Sequence, residues 1–220
     1  EETKGRVDLT DVPISEAQGT LYVDGSCFKL SDGTSTAAYA VTTLKTVVET
    51  CKIQQQSAQA AELIALTRAC ELSEGLSVNI YTDSQYAFGV AHNFGRLWRE
   101  RGFMTSHGTR IQHGALIVGL LNALMLPWKV AIMKCSAHKQ ITNDVGRGNA
   151  FADEVAKRTA QDEHSLLYVV GIVRELPENG SSGAALDSVK EIQQEATEAE
   201  VEIWKTHGRK DESGCWVEFS

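Results

Sequence analysis

Four acids stand apart from the rest of the chain by their context. Asp24 follows the apolar run LYV and is followed at once by Gly25. Glu62 sits among small and apolar neighbours in AELIAL. Asp83 closes SVNIYTD, and Asp153 comes just after the stretch RGN. Two Asp residues expected at strand ends belong where ligand crevices form in an α/β sheet, and a helix on each side can bring Glu62 and Asp153 to the same place. Four carboxylates in a small volume repel one another strongly unless cations intervene. Hard oxygen ligands suit Mg²⁺ or Mn²⁺. Two such ions about 3.5–4 Å apart can activate a water and stabilise a leaving oxygen in phosphodiester hydrolysis. Taken one at a time, the same acids would serve equally well as caps or surface charges.

The elements that must position these acids can be read along the chain. LYVDGS (21–26) predicts a strand running into a Gly-Ser turn. AAYAVTT (37–43) and TVVETCKI (46–53) alternate and are rich in β-branched residues, completing an antiparallel meander. SAQAAELIALTRACELSEG (57–75) predicts a helix with Ser57 as N-cap and Gly75 as its stop. SVNIYTD (77–83) and WKVAIMKC (128–135) predict strands. SQYAFGVAHNF (84–94), GALIVGLLNALML (114–126) and NAFADEVAKRTAQD (149–162) predict helices, the last with Asn149 as its cap and Asp153 near its start. The order β-β-β-α-β-α-α-β-α implies an α/β fold, a five-stranded mixed sheet with helices on its faces.

The chain has 220 residues, 42% of them hydrophobic and 23% charged, with a net charge of −8. That composition is globular. Residues 1–165 carry 16 Lys and Arg against 18 Asp and Glu, whereas residues 166–220 carry 5 against 11. The acidity is therefore concentrated in the tail. Arg96, Arg99, Arg101 and Arg110 form a local basic window that can attract phosphate despite the overall sign. Five cysteines without a CxxC pair fit reduced thiols packed as small hydrophobes, with no zinc site. No apolar run approaches the ~18 residues of a membrane span, and the first residues lack a secretory pattern. An intracellular, non-secreted chain is expected, and the absence of an initial Met fits a piece cut from something longer.

YVDGS, AELIAL, YTDSQYA, SAHKQ and RGNAFADEVAK occur in this order. Together they resemble ribonuclease H of the retroviral type, most closely that of gammaretrovirus-like reverse transcriptases, over roughly residues 7–162. The four acids are separated by 38, 21 and 70 residues, as that family's pattern expects. The resemblance implies a ribonuclease H-like fold and hydrolysis of the RNA strand of RNA–DNA hybrids with two Mg²⁺ ions, Mn²⁺ being a possible substitute. It implies that Asp24, Glu62, Asp83 and Asp153 hold the metals, with Asp24 bridging both, and that His138 in SAHKQ assists proton transfer and product release. Its partners would be the hybrid and the polymerase region of the same polyprotein, with no membrane. Its place would be a cytoplasmic reverse-transcription complex or a virion.

The resemblance also suggests substrate contacts. Gly25 and Ser26 would allow close backbone approach to the RNA strand, or simply form a turn. Ser57 and Gln59 would face the minor groove, where the ribose 2′-OH marks RNA. Ser84 and Tyr86 follow Asp83, with Tyr86 at a position that packs near the DNA strand. Gln85 replaces the Arg expected beside them, which puts a phosphate contact there in doubt. HNFGRLWRERGFMTS (92–106) resembles a basic substrate handle, with Arg96 and Arg99 on one helical face, Arg101 beyond them, and Trp98 as packing or stacking surface.

Residues 1–18 read as a lead-in, 19–165 as the ribonuclease H domain and 166–187 as a linker. Residues 188–220, a helix candidate and then a short strand at GCWVEFS, resemble the start of an integrase N-terminal extension. His207 and Cys215 do not supply zinc spacing. Two rivals remain: a domesticated retroelement protein that uses the fold only to bind nucleic acid or protein, and a transposase or integrase of the same broad superfamily. The second has a different acidic spacing and usually lacks the AELIAL helix and SAHKQ loop together.

Overall fold

The computed structural model describes residues 6–104, 109–135, 143–162, 165, 167–168, 208–210 and 216–218. A mixed sheet is built from β1 (Gly19–Lys29), β2 (Ser35–Thr42), β3 (Val47–Ile53), β4 (Ser77–Thr82) and β5 (Lys129–Lys134), as expected. A two-residue strand, β6 (Leu167–Tyr168), adds to the edge beside β3, giving the order β5-β4-β1-β2-β3-β6. β1, β2 and β3 form the antiparallel meander, while β4 and β5 run parallel to β1. The lead-in continues this pattern: Thr10 bridges Ala131 in parallel alongside β5.

β1 is longer than its sequence predicts. Asp24 lies in its middle, and Gly25 and Ser26 form no turn: they pair with Tyr39 and Ala38 of β2. The glycine misleads because a Gly-Ser pair usually punctuates a strand. Here it sits where a helix crosses closely.

α1 (Ala58–Glu71) begins as the sequence predicts, with the Ser57 hydroxyl accepting from the Ala60 N–H at 3.4 Å. It buries Ala60, Ala61, Leu63, Ile64, Ala65, Leu66, Ala69 and Cys70, so its apolar character continues almost all the way round. That suits a helix packed between the sheet and α4 (Gly114–Ala123).

The predicted helix over 84–94 extends further and is composite. It comprises α2 (Gln85–Gly89), a π-helical turn (Val90–Phe94) and α3 (Gly95–Glu100). The wide turn is a local irregularity in hydrogen bonding that apolar periodicity does not reveal.

α5 (Asp144–Gln161) starts five residues before the predicted Asn149. Its cap is Asn143, whose Oδ1 accepts from the Gly146 N–H at 2.8 Å. Asn149 is buried inside the helix, and Asp153 lies well along it. RGN precedes the predicted helix only in part, since Gly148 lies inside α5 and serves close packing. A Cβ there would come within 2.3 Å of the Tyr22 ring, so this residue lets α5 lie directly on β1. Gly25 meets α1 and Tyr22 meets α5; an odd separation along a strand puts them on opposite faces of the sheet.

Arg6 pins the lead-in. Its guanidinium donates to the carbonyls of Leu124, Pro127 and Trp128 at 2.5–2.8 Å. The chain divides into two compact units, Glu1–Val170 and Gly171–Ser220. In the second, β7 (Gly208–Lys210) pairs antiparallel with β8 (Trp216–Glu218). Gly208 therefore opens a strand. The rest of the helix candidate over 188–208 lies outside the described residues.

Candidate active site

Three of the four acids meet. β4 lies parallel to β1 with Thr82 opposite Val23, so Asp83, the first residue beyond β4, emerges beside Asp24. α1 crosses β1 at Gly25 and brings Glu62 to the same point. One carboxylate oxygen from each of Asp24, Glu62 and Asp83 lies within 4.8 Å of the others. Asp24 is only 5% exposed.

Such a cluster resists ionisation. Burial, then the charges of Asp83 and Asp153, raise the Asp24 carboxyl from its ordinary 3.8 to about 8. Burial followed by Asp24 and Asp83 raises Glu62 well above its usual range. The Gly25 backbone N–H opposes both shifts by hydrogen bonding to the charged forms. Among the described residues, Glu62 Oε2 is buried with no hydrogen-bond partner. An orphaned carboxylate oxygen among other carboxylates, all hard donors, fits a divalent cation well.

The linkage has a definite sign. The Asp24 carboxyl is raised on folding, so in metal-free protein its stabilising neutral form is complete below about pH 4 and lost as pH rises through about 8. The metal-free unfolding midpoint therefore falls by several degrees between about pH 5.5 and about pH 8.5. Divalent metal binds the ionised carboxylates, so the stabilisation it adds is larger at the higher pH. Differential scanning calorimetry with chelator and with metal measures both effects. A metal-induced shift independent of pH would contradict the linkage.

Asp153 stands outside this triangle, although its charge contributes to raising Asp24. Its Oδ2 accepts from Lys157 Nζ at 2.6 Å, one helical turn away. That bond is the main cause of the raised Lys157 pKa. Asn149, one turn before Asp153, donates from Nδ2 to Asp83 Oδ2 at 3.2 Å. α5 thus reaches the site through both residues.

The RNase H family model matches residues 16–161. The chain belongs to the RNase H family. It is 39% identical over 216 residues to the Gag-Pol polyprotein of avian reticuloendotheliosis virus, covering 97% of this chain and 18% of that one. It is 43% identical over 171 residues to the feline leukemia virus Gag-Pol polyprotein, covering 77% and 10%. With the Pol polyprotein of radiation murine leukemia virus it shares 45% over 161 residues, covering 72% and 28%. The chain therefore spans less than a third of each of these relatives. Among solved structures it resembles the RNase H domain of prototype foamy virus, with a TM-score of 0.56 and 24% identity over 66% of this chain and 94% of that domain. A foamy viral protease-reverse transcriptase in complex with RNA/DNA hybrid gives 0.55 and 22% over 73% and 22%. The fold is that of an RNase H domain.

The other sequence-selected residues of the RNase H domain fall into place unevenly. Ser26 is buried in β1, Ser57 is half-buried and Gln59 is exposed. Ser84 caps α2 by accepting from the Ala87 N–H at 3.1 Å, and Tyr86 is half-buried against the core. Gln85 pairs with Lys134. Arg96 is exposed and paired with Glu100 at 2.9 Å, while Arg99 Nη2 donates to Asn122 Oδ1 at 3.0 Å. Both line a cavity of about 480 Å³ beside Arg6 and Leu9. Arg101 is exposed, and Trp98 stacks on Phe94 with centroids 5.7 Å apart. His138 lies outside the described residues.

Four residues outside the sequence-predicted site touch its side chains or their neighbours. Lys157 and Asn149 could have been found from their spacing of four residues on either side of Asp153. Cys135 carries only the sequence context of a packed thiol. His113 caps α4 with left-handed backbone, φ 62°, and its Nε2 lies 3.4 Å from Ser57 Oγ; no sequence signal marks a non-glycine residue in that conformation.

Proposed function

We propose that this chain hydrolyses the RNA strand of an RNA–DNA hybrid during reverse transcription, as the RNase H part of a retroviral Pol polyprotein, in a virion or a cytoplasmic reverse-transcription complex. The observation that carries the reading is the carboxylate triangle with its orphaned Glu62 oxygen. Asp24, Glu62 and Asp83 would hold divalent metal, with Asp153 completing the set. Two Mg²⁺ ions there, or Mn²⁺ in their place, would supply an activated water and charge stabilisation for the leaving 3′-oxygen.

The protein's own groups do the remaining work. Lys157 holds Asp153 in place. Gly25 holds α1 close enough for Glu62 to reach the site. His138 moves a proton at its imidazole nitrogen. Ser57 and Gln59 at the start of α1 contact the ribose 2′-OH. Ser84 and Tyr86 contact the opposite strand, and Arg96, Arg99 and Arg101 contact phosphates. The substrate class is taken over from the foamy viral relative in complex with RNA/DNA hybrid and from the viral polyproteins this chain resembles. The tail, included in the alignment to one continuous Gag-Pol chain, would begin the next segment, resembling an integrase extension.

The test is a hybrid labelled separately on each strand, incubated with Mg²⁺, Mn²⁺ or chelator. Only the RNA strand should be cut, leaving 5′-phosphate and 3′-hydroxyl ends, and chelator should stop the reaction. Binding of the hybrid without cleavage in either metal would favour a binding module instead.

A further inference from the structure

Cys135, Asn149 and Asp83 form a continuous hydrogen-bonded chain. Cys135 is the first residue beyond β5, and its backbone N–H donates to the Thr82 carbonyl at the end of β4 at 2.9 Å. Its Sγ donates to Asn149 Oδ1 at 3.2 Å, and Asn149 Nδ2 donates to Asp83 Oδ2 at the same distance. Cys135 and Asn149 are each 8% exposed, so water does not readily replace either partner. Burial, with Asp83 adding to it, pushes the thiol up to about 12, and the thiol remains a donor.

A primary amide has two nearly isosteric orientations. With the Asn149 oxygen turned towards Cys135, its NH₂ faces the Asp83 carboxylate. With the amide turned over, its oxygen would face that carboxylate, which has no proton to donate, and its NH₂ could donate only weakly to the Cys135 sulfur, so the bond to Asp83 would be lost and the S–H left without its acceptor. The thiol therefore acts with the carboxylate itself to favour the orientation in which Asn149 supports Asp83. We propose that Cys135 is a positioning residue: by fixing the Asn149 amide it fixes the Asp83 carboxylate in the geometry that metal binding requires. This role rests on the hydrolase reading proposed above and deepens it. Groups that hydrogen-bond a ligating side chain typically affect metal affinity or activity by about 10–100-fold.

The experiment uses the 220-residue chain with Cys135→Ala, Cys135→Ser and Asn149→Ala, and with both alanines combined. Mn²⁺ affinity is measured by calorimetry, hybrid cleavage by steady-state kinetics and folding by thermal midpoint. Asn149→Ala should weaken Mn²⁺ binding and lower kcat by about 10-fold or more, and Cys135→Ala, one bond further from the ligand, should lower both by a smaller, measurable factor with KM for the hybrid nearly unchanged. Cys135→Ser keeps a donor and should recover most of that loss. In the Asn149→Ala background, Cys135→Ala should add little, because the thiol acts through that amide. Wild-type affinity and kcat in Cys135→Ala would overturn the proposal. So would equal losses in Ser and Ala, or a loss that persists without Asn149. Mn²⁺ affinity is read without turnover. If wild type fails to cleave yet Cys135→Ala weakens the metal, the hydrolase reading falls and the positioning role stands.

Discussion

Asp24→Asn should abolish hybrid cleavage and at the same time raise the unfolding midpoint of the metal-free protein near neutral pH. The two effects have one cause. Asp24 is the most enclosed acid of the triangle, and Asp83 and Asp153 both push its carboxyl towards the neutral form. An amide of the same shape removes that repulsion and can donate to the neighbouring carboxylates, so the metal-free fold gains stability. The same change removes an anionic ligand. Metal-centred stabilisation of a phosphoryl transition state is worth several kcal/mol, and each ~1.4 kcal/mol is tenfold in rate. A loss of about a thousandfold or more is therefore expected. Single-turnover kinetics measure the first effect and calorimetry in chelator the second. Retention of more than about a tenth of wild-type activity would remove Asp24 from the centre of the mechanism. A lowered metal-free midpoint would mean that its charge is compensated within the fold.

Much of this site was legible from residue types and order, because metal chemistry limits which side chains can serve. Asp24, Glu62 and Asp83 were selected from context, and the structure brings their oxygens together. The meander, α1 with its Ser57 cap, and β4 and β5 also follow the alternation and capping rules. What escaped was set by packing between elements distant in sequence. Gly25 reads as a turn signal and Gly148 falls before the predicted helix, yet each sits inside a regular element at a point of close crossing. The start of α5 was misplaced for the same reason, since glycines lower helix propensity locally while the Tyr22 ring demands one. Asn149 looked like a cap for a helix that begins earlier. Cys135 gave no signal at all, because a thiol that donates one hydrogen bond and a thiol that fills space have the same letter and hydropathy.

Gly25 separates two accounts of its own presence. The sequence suggests open space for an RNA strand, whereas the structure fills that space with the protein itself. A Cβ at this position would lie 2.5 Å from the Glu62 backbone nitrogen, 2.6 Å from the Ala61 carbonyl carbon and 2.8 Å from the Ala61 Cβ. Carbon atoms in ordinary contact stand about 3.5–4.0 Å apart. The obstructing atoms belong mainly to the backbone of α1, which cannot rotate aside as a flexible side chain would. Gly25→Ala should therefore lift the start of α1 by roughly 1 Å, a displacement that can cost about 10²-fold when it misplaces a reacting group. Overpacking of this kind costs about 1–3 kcal/mol, or about 2–4 °C in the midpoint per kcal/mol for a chain of this size. The expected pattern is a fall in kcat of about 100-fold and weaker Mn²⁺ binding, with hybrid affinity in chelator little changed. If Gly25 served mainly to admit the RNA strand, the pattern would reverse: hybrid affinity would drop while metal affinity and the midpoint held. Measuring both affinities on the one variant decides whether this glycine is shaped by the substrate or by the helix that carries Glu62.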